Sequence, residues 1–229
     1  MSSELRSGSL ADRLARVRAR IRAAAERAAR DSREITLIAA SKTQATLAIR
    51  EAAACGVTDF GENYLQEGLA KLNELAEEGG AQPFVHFIGH LQTNKAAAAV
   101  RFASLQSLDS ARLLAALAAA KPSAPLPVFI QVNIAAEASK GGVTAAELSA
   151  LVAAARVCPA VELRGLMTIP PPGADPETSR PYFRELHRLA ELHGLRELSM
   201  GMTDDFEVAI EEGATHIRVG RAIFGERVR

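Results

Sequence analysis

The sequence predicts an α/β chain closed into a single (β/α)8 TIM barrel with one extra helix at its N-terminus. Three observations carry that prediction. Eight short β-type runs recur along the chain, and helical patterns separate them. Several runs are apolar throughout instead of alternating, as strands are when helices cover both faces. Strands joined through helices require parallel crossovers, and eight such units closing on one another make a barrel. An open doubly wound sheet is the alternative, weakened because no G-x-G-x-x-G follows the first run.

The elements follow in order. Leu10, Leu14, Val17, Ile21, Ala24 and Ala28 fall at steps of three and four, which predicts a helix over 10–30. Seven arginines from Arg13 to Arg30 fill its other faces. They could form a basic arm for nucleic acid, but Lys+Arg and Asp+Glu are each 27, and a neutral chain favours a solvated helix face. The β-type runs are ITLIAAS (35–41), VTDFGE (57–62), FVHFIG (84–89), ASLQSL (103–108), PVFIQVNI (127–134), VELRGLMTI (161–169), LSMGM (198–202) and HIRVG (216–220). Helical patterns occupy 44–55, 64–78, 94–101, 110–120, 144–157, 177–193 and 204–212. The breaker cluster PPPGADPE (170–177) sits between a strand and its helix and reads as a surface loop, a candidate lid. No linker divides the chain, so residues 1–229 are expected to be one domain, with the barrel over 35–225.

Composition excludes several function classes. Zero net charge argues against a nucleic-acid or anionic-membrane binder. Cys55 and Cys158 are too few for a disulfide framework or a zinc site. His187 and His193 stand six apart, off a shared helix face, and no metal constellation is expected. There is no run of 18 apolar residues and no signal-peptide pattern, so a cytoplasmic protein is expected.

Active sites in such barrels lie at the C-terminal ends of the strands. Lys42, one of five lysines, ends the first run just after LIAAS. The last two runs supply Ser199, Gly201, Met202 and Thr203, then Gly220 and Arg221. Barrels often hold phosphate with the loops after strands seven and eight, through backbone amides that glycine lets approach. Asp204 or Asp205 is also an ordinary helix N-cap for this stretch. A lysine facing a phosphate cradle suggests pyridoxal phosphate (PLP), the amine forming a Schiff base with the aldehyde. A Schiff base to a substrate aldehyde, or a simple ion pair, fits the position of Lys42 as well.

The motifs become more specific together. SKT (41–43), FGENYLQE (60–67), HFIGHLQTNK (86–95), QVNI (131–134), SKGG (139–142), LRGLMTIPP (163–171) and LSMGMTDDFEVAIEEGATHIRVGRAIFG (198–225) resemble the pyridoxal phosphate homeostasis protein family. These are small PLP-binding barrels similar to the N-terminal domain of alanine racemase, without its additional β domain. The resemblance implies that Lys42 is the PLP lysine and that Ser199, Gly201, Met202, Thr203, Gly220 and Arg221 serve the phosphate. It also places Arg218 against the pyridine nitrogen, where a permanent cation disfavours ring protonation and carbanion chemistry. Asn63 resembles a pocket-lining residue, and Lys140 is a candidate secondary PLP contact. Two positions depart from the family's common pattern. Thr203 stands where serine is frequent, and Arg221 stands where threonine is frequent. His90 follows Gly89 where some relatives carry proline, and reads as a helix-terminus histidine.

The expected function is that of a PLP carrier or buffer that supplies apo-enzymes, as a monomer without turnover. A PLP-dependent amino-acid racemase or related enzyme is the alternative. Racemisation wants a second acid/base opposite the lysine, and Tyr64 and Tyr182 are the chain's two tyrosines. A lysine aldolase ranks last, for want of a partner group.

Overall fold

The structure, a computed structural model, describes residues 8–79, 82–137 and 140–225. Ser139 of the SKGG stretch and both extremes of the 1–229 span lie outside the described residues.

Helix α1 (Leu10–Arg27) opens with a capping box: Ser9 accepts from the Asp12 amide, and Asp12 accepts from the Ser9 amide at 2.9 Å. Two of the amides left over at a helix start are thereby satisfied. The eight strands are β1 (Thr36–Ala40), β2 (Asp59–Glu62), β3 (Phe84–Phe87), β4 (Ser104–Leu108), β5 (Leu126–Gln131), β6 (Val161–Met167), β7 (Glu197–Met202) and β8 (His216–Val219). Each pairs in parallel with the next, and β8 pairs with β1 from Thr36–His216 to Ala39–Val219, so the barrel is closed. Closure rules out the open sheet.

The helices are α2 (Thr46–Ala54), α3 (Leu65–Glu78), α4 (Ala96–Ala99), α5 (Ala111–Ala119), α6 (Ala145–Val157), α7 (Arg180–Leu192), α8 (Phe206–Glu211) and α9 (Arg221–Phe224). Three patterns shrink relative to expectation. The 94–101 stretch is a 3-10 turn, Thr93–Lys95, plus the single turn of α4. The 204–212 stretch reduces to α8. The run 127–134 stops at Gln131 because the Asn133 side chain donates to the carbonyls of Glu137 and Lys140, turning the chain into a loop.

Side chains alternate across a strand, and this barrel uses the two faces differently. Outward residues such as Phe60, Phe87, Leu105, Ile130, Leu198 and Ile217 merge with the helices into one buried core. Each contributes roughly 1.5–3 kcal/mol of burial. The inward face is unusually polar for this architecture, where bulky branched residues normally fill the interior. His86, Ser104, Gln106, Ser199 and Arg218 are all buried there.

The arginines of α1, and Arg30 just past its end, do not form a merely solvated face. Arg18 donates to the carbonyls of Cys55 and Gly56 at 2.8 and 2.6 Å, just past the end of α2. Arg30 donates to Ile210 and Ala214 at 2.9 and 2.8 Å, and Arg13 to Ile223 at 2.6 Å. Cations suit helix C-terminal carbonyls. Arg20 and Arg27 pair with Glu207 and Glu211 at 2.8 and 2.7 Å. Helix α1 thus fastens α8 and α9, the two helices that follow β7 and β8. Among the described residues, no helix is long and apolar enough to cross a membrane.

Candidate functional site

Alternation carries past the end of β1. Ser41 faces outward and is buried, so Lys42 faces inward and lines a cavity of about 850 Å³ at the C-terminal mouth of the barrel. Asn63, Met202, Thr203, Arg218, Gly220 and Arg221 line the same cavity, together with Ala40, Ile88, Ile169 and Asp204. Seven of the residues singled out in the sequence therefore converge. Among the described residues, the buried Oδ1 of Asn63 has no hydrogen-bond partner.

The wall beside Lys42 is built from the ends of β8, which pairs with β1, and of β7 next to it. Gly201 adopts φ +89°, and a Cβ there would stand 2.5 Å from the Cβ of Ala209 and 2.9 Å from the Cα of Phe206. Only glycine lets β7 turn so close to α8. Asp205 precedes α8 but its side chain does not cap the helix, contrary to the N-cap expectation. Its Oδ1 instead accepts the Met202 amide at 2.7 Å, and its Oδ2 accepts the Ser179 hydroxyl at 2.9 Å. This closes the turn carrying Thr203, and Met202 keeps only its side chain for the cavity. Gly220 precedes α9, and a Cβ on it would sit 3.2 Å from the carbonyl oxygen of Ala40. At that point the cavity edge is bare main chain. The Arg221 guanidinium turns to Asp204.

Arg218 forms the floor. It donates to Ser199 Oγ at 2.5 Å and to the Thr168 carbonyl at 2.9 Å. Burial pushes its guanidinium down to about 10, partly opposed by the charge of Asp205. The Ser199 hydroxyl donates in turn to Gln106 Oε1 at 2.7 Å. Deeper in, His86 bridges Ser104 Oγ at 2.7 Å and Asp59 Oδ1 at 2.9 Å. Burial works to raise the Asp59 carboxyl, but hydrogen bonds from His86 and Thr58 outweigh it and hold the group low. His216 beside them is pushed down to about 4, chiefly by burial and then by His86.

Some expected residues lie elsewhere. Ser199 and Gly201 are buried and do not line the cavity. Ser199 pairs in register with His216, two residues before Arg218 on β8, and its buried hydroxyl is engaged by both Arg218 and Gln106. Lys140 pairs with Glu137 at 2.7 Å and lines a smaller neighbouring cavity of about 280 Å³ under Pro170–Pro172. His90 is not at a helix terminus: it precedes the 3-10 turn, exposed, 3.4 Å from Asp109. Tyr64 stands exposed at the N-cap position of α3.

Sequence reasoning missed a buried charge cluster behind Lys42, formed by Glu62, Glu67 and Lys71. Glu62 is fully buried, and burial raises its carboxyl despite hydrogen bonds from Lys71 and Ser41. The clue was available: a lysine is as scarce at 71 as at 42 in this chain.

Comparison with known proteins gives a consistent set. The model of the alanine racemase N-terminal domain family matches residues 13–228. A pyridoxal phosphate homeostasis protein of Pseudomonas aeruginosa is 46% identical over 224 residues, covering 95% of this chain and 96% of that protein. One of Escherichia coli K12 is 42% identical over 228 residues, covering 95% and 97%. The structure of Synechococcus elongatus PipY with PLP bound superposes with a TM-score of 0.80 at 33% identity, covering 95% of this chain and 100% of that one.

Proposed function

This chain belongs to the family of pyridoxal phosphate homeostasis proteins, and from that premise we propose that it binds PLP as an intracellular carrier or buffer in vitamin B6 homeostasis. Lys42 would hold the cofactor as a Schiff base, with the phosphate at the ends of β7 and β8. The observation that carries this reading is that Lys42 and both of those strand ends border one cavity.

When bound, PLP supplies an aldehyde that condenses with a lysine amine, one water leaving as the C=N bond forms. The residues present fit such a ligand. Thr203 offers a hydroxyl, and the bare backbone at Gly220–Arg221 leaves room for an anion. Arg218 would offer the cofactor a buried cation at the cavity floor. A fixed cation there repels a proton from the ring nitrogen and so works against carbanion stabilisation. Asn63 brings a buried acceptor that has no partner among the described residues. Neither tyrosine supports a racemase: Tyr64 lines a separate cavity beside His90 and Lys95, and Tyr182 lies on α7. The relatives are likewise named for homeostasis instead of for a reaction. A cytoplasmic monomer passing PLP to apo-enzymes completes the reading.

The test is the visible absorbance of the protein mixed with PLP, before and after borohydride, beside Lys42→Ala. A new band that reduction fixes, and that the variant lacks, supports the reading. Identical spectra for both proteins would overturn it, and steady turnover of amino acids would favour the enzyme alternative.

A further inference from the structure

We propose that Glu67 and Lys71 are positioning residues for Lys42, clamping the main chain on both sides of it. The proposal rests on the reading of Lys42 as the capturing amine. Lys71 projects from α3 with its side chain 6% exposed. Its ammonium donates to the Ser41 carbonyl at 2.8 Å, to Glu62 Oε1 at 2.8 Å and to Glu67 Oε1 at 2.6 Å. That uses all three of its donors. Glu67 Oε1 also accepts the Thr43 amide at 2.5 Å, and the Ser41 hydroxyl donates to Glu62 Oε1 at 2.6 Å. Residues 41 and 43 are both held, and the side chain between them enters the cavity.

The backbone gives an independent reason for a clamp. Thr43 adopts φ +65°, in a turn closed by the Gln44 amide on the Ser41 carbonyl at 2.9 Å. A positive φ at this turn position calls for glycine or asparagine. A β-branched residue there persists only when its surroundings over-determine it, and such strain gathers at functional sites. The Glu67 carboxylate on the Thr43 amide is that determinant. A cluster serving only to dock α3 would have no need of these partners. A buried ion pair stabilises no more than well-packed apolar residues of the same volume, yet these bonds converge on Ser41 and Thr43.

Without the Glu67 oxygen the turn relaxes and the Lys42 amine loses its fixed approach. Misplacing a reacting group by an ångström can cost on the order of a hundredfold in rate. The experiment uses Glu67, whose side chain is 27% exposed, because Lys71 variants risk unfolding. Glu67→Ala removes the acceptor, and Glu67→Gln keeps one. Three quantities are read: thermal midpoint, the rate at which the PLP band grows, and trace acetylation of Lys42 in PLP-free protein across pH, with exposed Lys95 and Lys121 as internal references. The expected result is a folded Glu67→Ala protein with capture slowed about tenfold or more and a changed Lys42 acetylation profile, both largely restored in Glu67→Gln. The proposal is overturned if folded Glu67→Ala matches wild type in both readouts, or if Ala and Gln lose equally. Should Lys42→Ala keep the PLP band, the Schiff-base reading fails by itself, and the acetylation profile alone decides the clamp.

Discussion

Arg218 and Ser199 are joined side chain to side chain at 2.5 Å between neighbouring strands, and Ser199 in turn donates to Gln106 at 2.7 Å. The chain of bonds crosses the barrel beneath the cavity, so Ser199 supports the buried cation and is not itself in the cavity wall. Ser199→Ala would leave a guanidinium donor and an amide oxygen unpaired in a buried site. We expect a loss of about 1–3 kcal/mol in urea unfolding, with PLP affinity close to wild type. A loss of binding on the order of tenfold at unchanged stability would return Ser199 to a direct phosphate role.

Gly201 offers a contrast with Gly194. Both have positive φ, +89° and +59°, but a Cβ at Gly201 would strike Ala209 and Phe206, whereas at Gly194 it would meet open space. Gly194→Ala should cost only about 1 kcal/mol, the backbone term. Gly201→Ala adds overpacking and should cost about 2–4 kcal/mol, displacing the Thr203 turn and weakening PLP retention as well. Equal thermal shifts in the two variants would contradict this account.

Much of this was legible in the sequence, for identifiable reasons. A parallel barrel strand is short and covered by helices, so LIAAS and FVHFIG stand out as apolar runs. The cavity residues end those runs, so Lys42, Asn63, Thr203 and Gly220 could be placed without coordinates. Height inside the barrel could not be read. The pairing of β7 with β8 shifts register between Ser199 and Met202, so residues three apart in sequence sit at floor and rim. The Lys71 clamp was hidden differently, since Glu67 and Lys71 share a helix face but Glu62 and Ser41 reach them only through the fold.

His216 ties stability to pH. Its value of about 4 in the fold lies below the 6.5 of the unfolded chain. The unfolded state therefore binds more protons between those values. The contribution is full above about pH 6.5 and is lost as pH falls toward 4, reaching about 3 kcal/mol. Unfolding midpoints should drop across that window in wild type, and the slope should flatten in His216→Gln. Parallel slopes in the two proteins would assign the pH dependence to other groups.

The Arg221 guanidinium turns to Asp204 in an exposed pair, at a position where the family resemblance leads one to expect threonine. Exposed pairs contribute about 0–1 kcal/mol, so Arg221→Thr should leave the thermal midpoint nearly unchanged. The main chain beside Gly220 is untouched by the substitution, and the new hydroxyl adds a short donor at the start of α9. PLP affinity should hold or rise, measured by equilibrium dialysis of the cofactor. A fall on the order of tenfold would mean that the guanidinium swings from Asp204 onto the phosphate. In that case Asp204→Asn, which frees the same side chain, should tighten binding in the wild-type background.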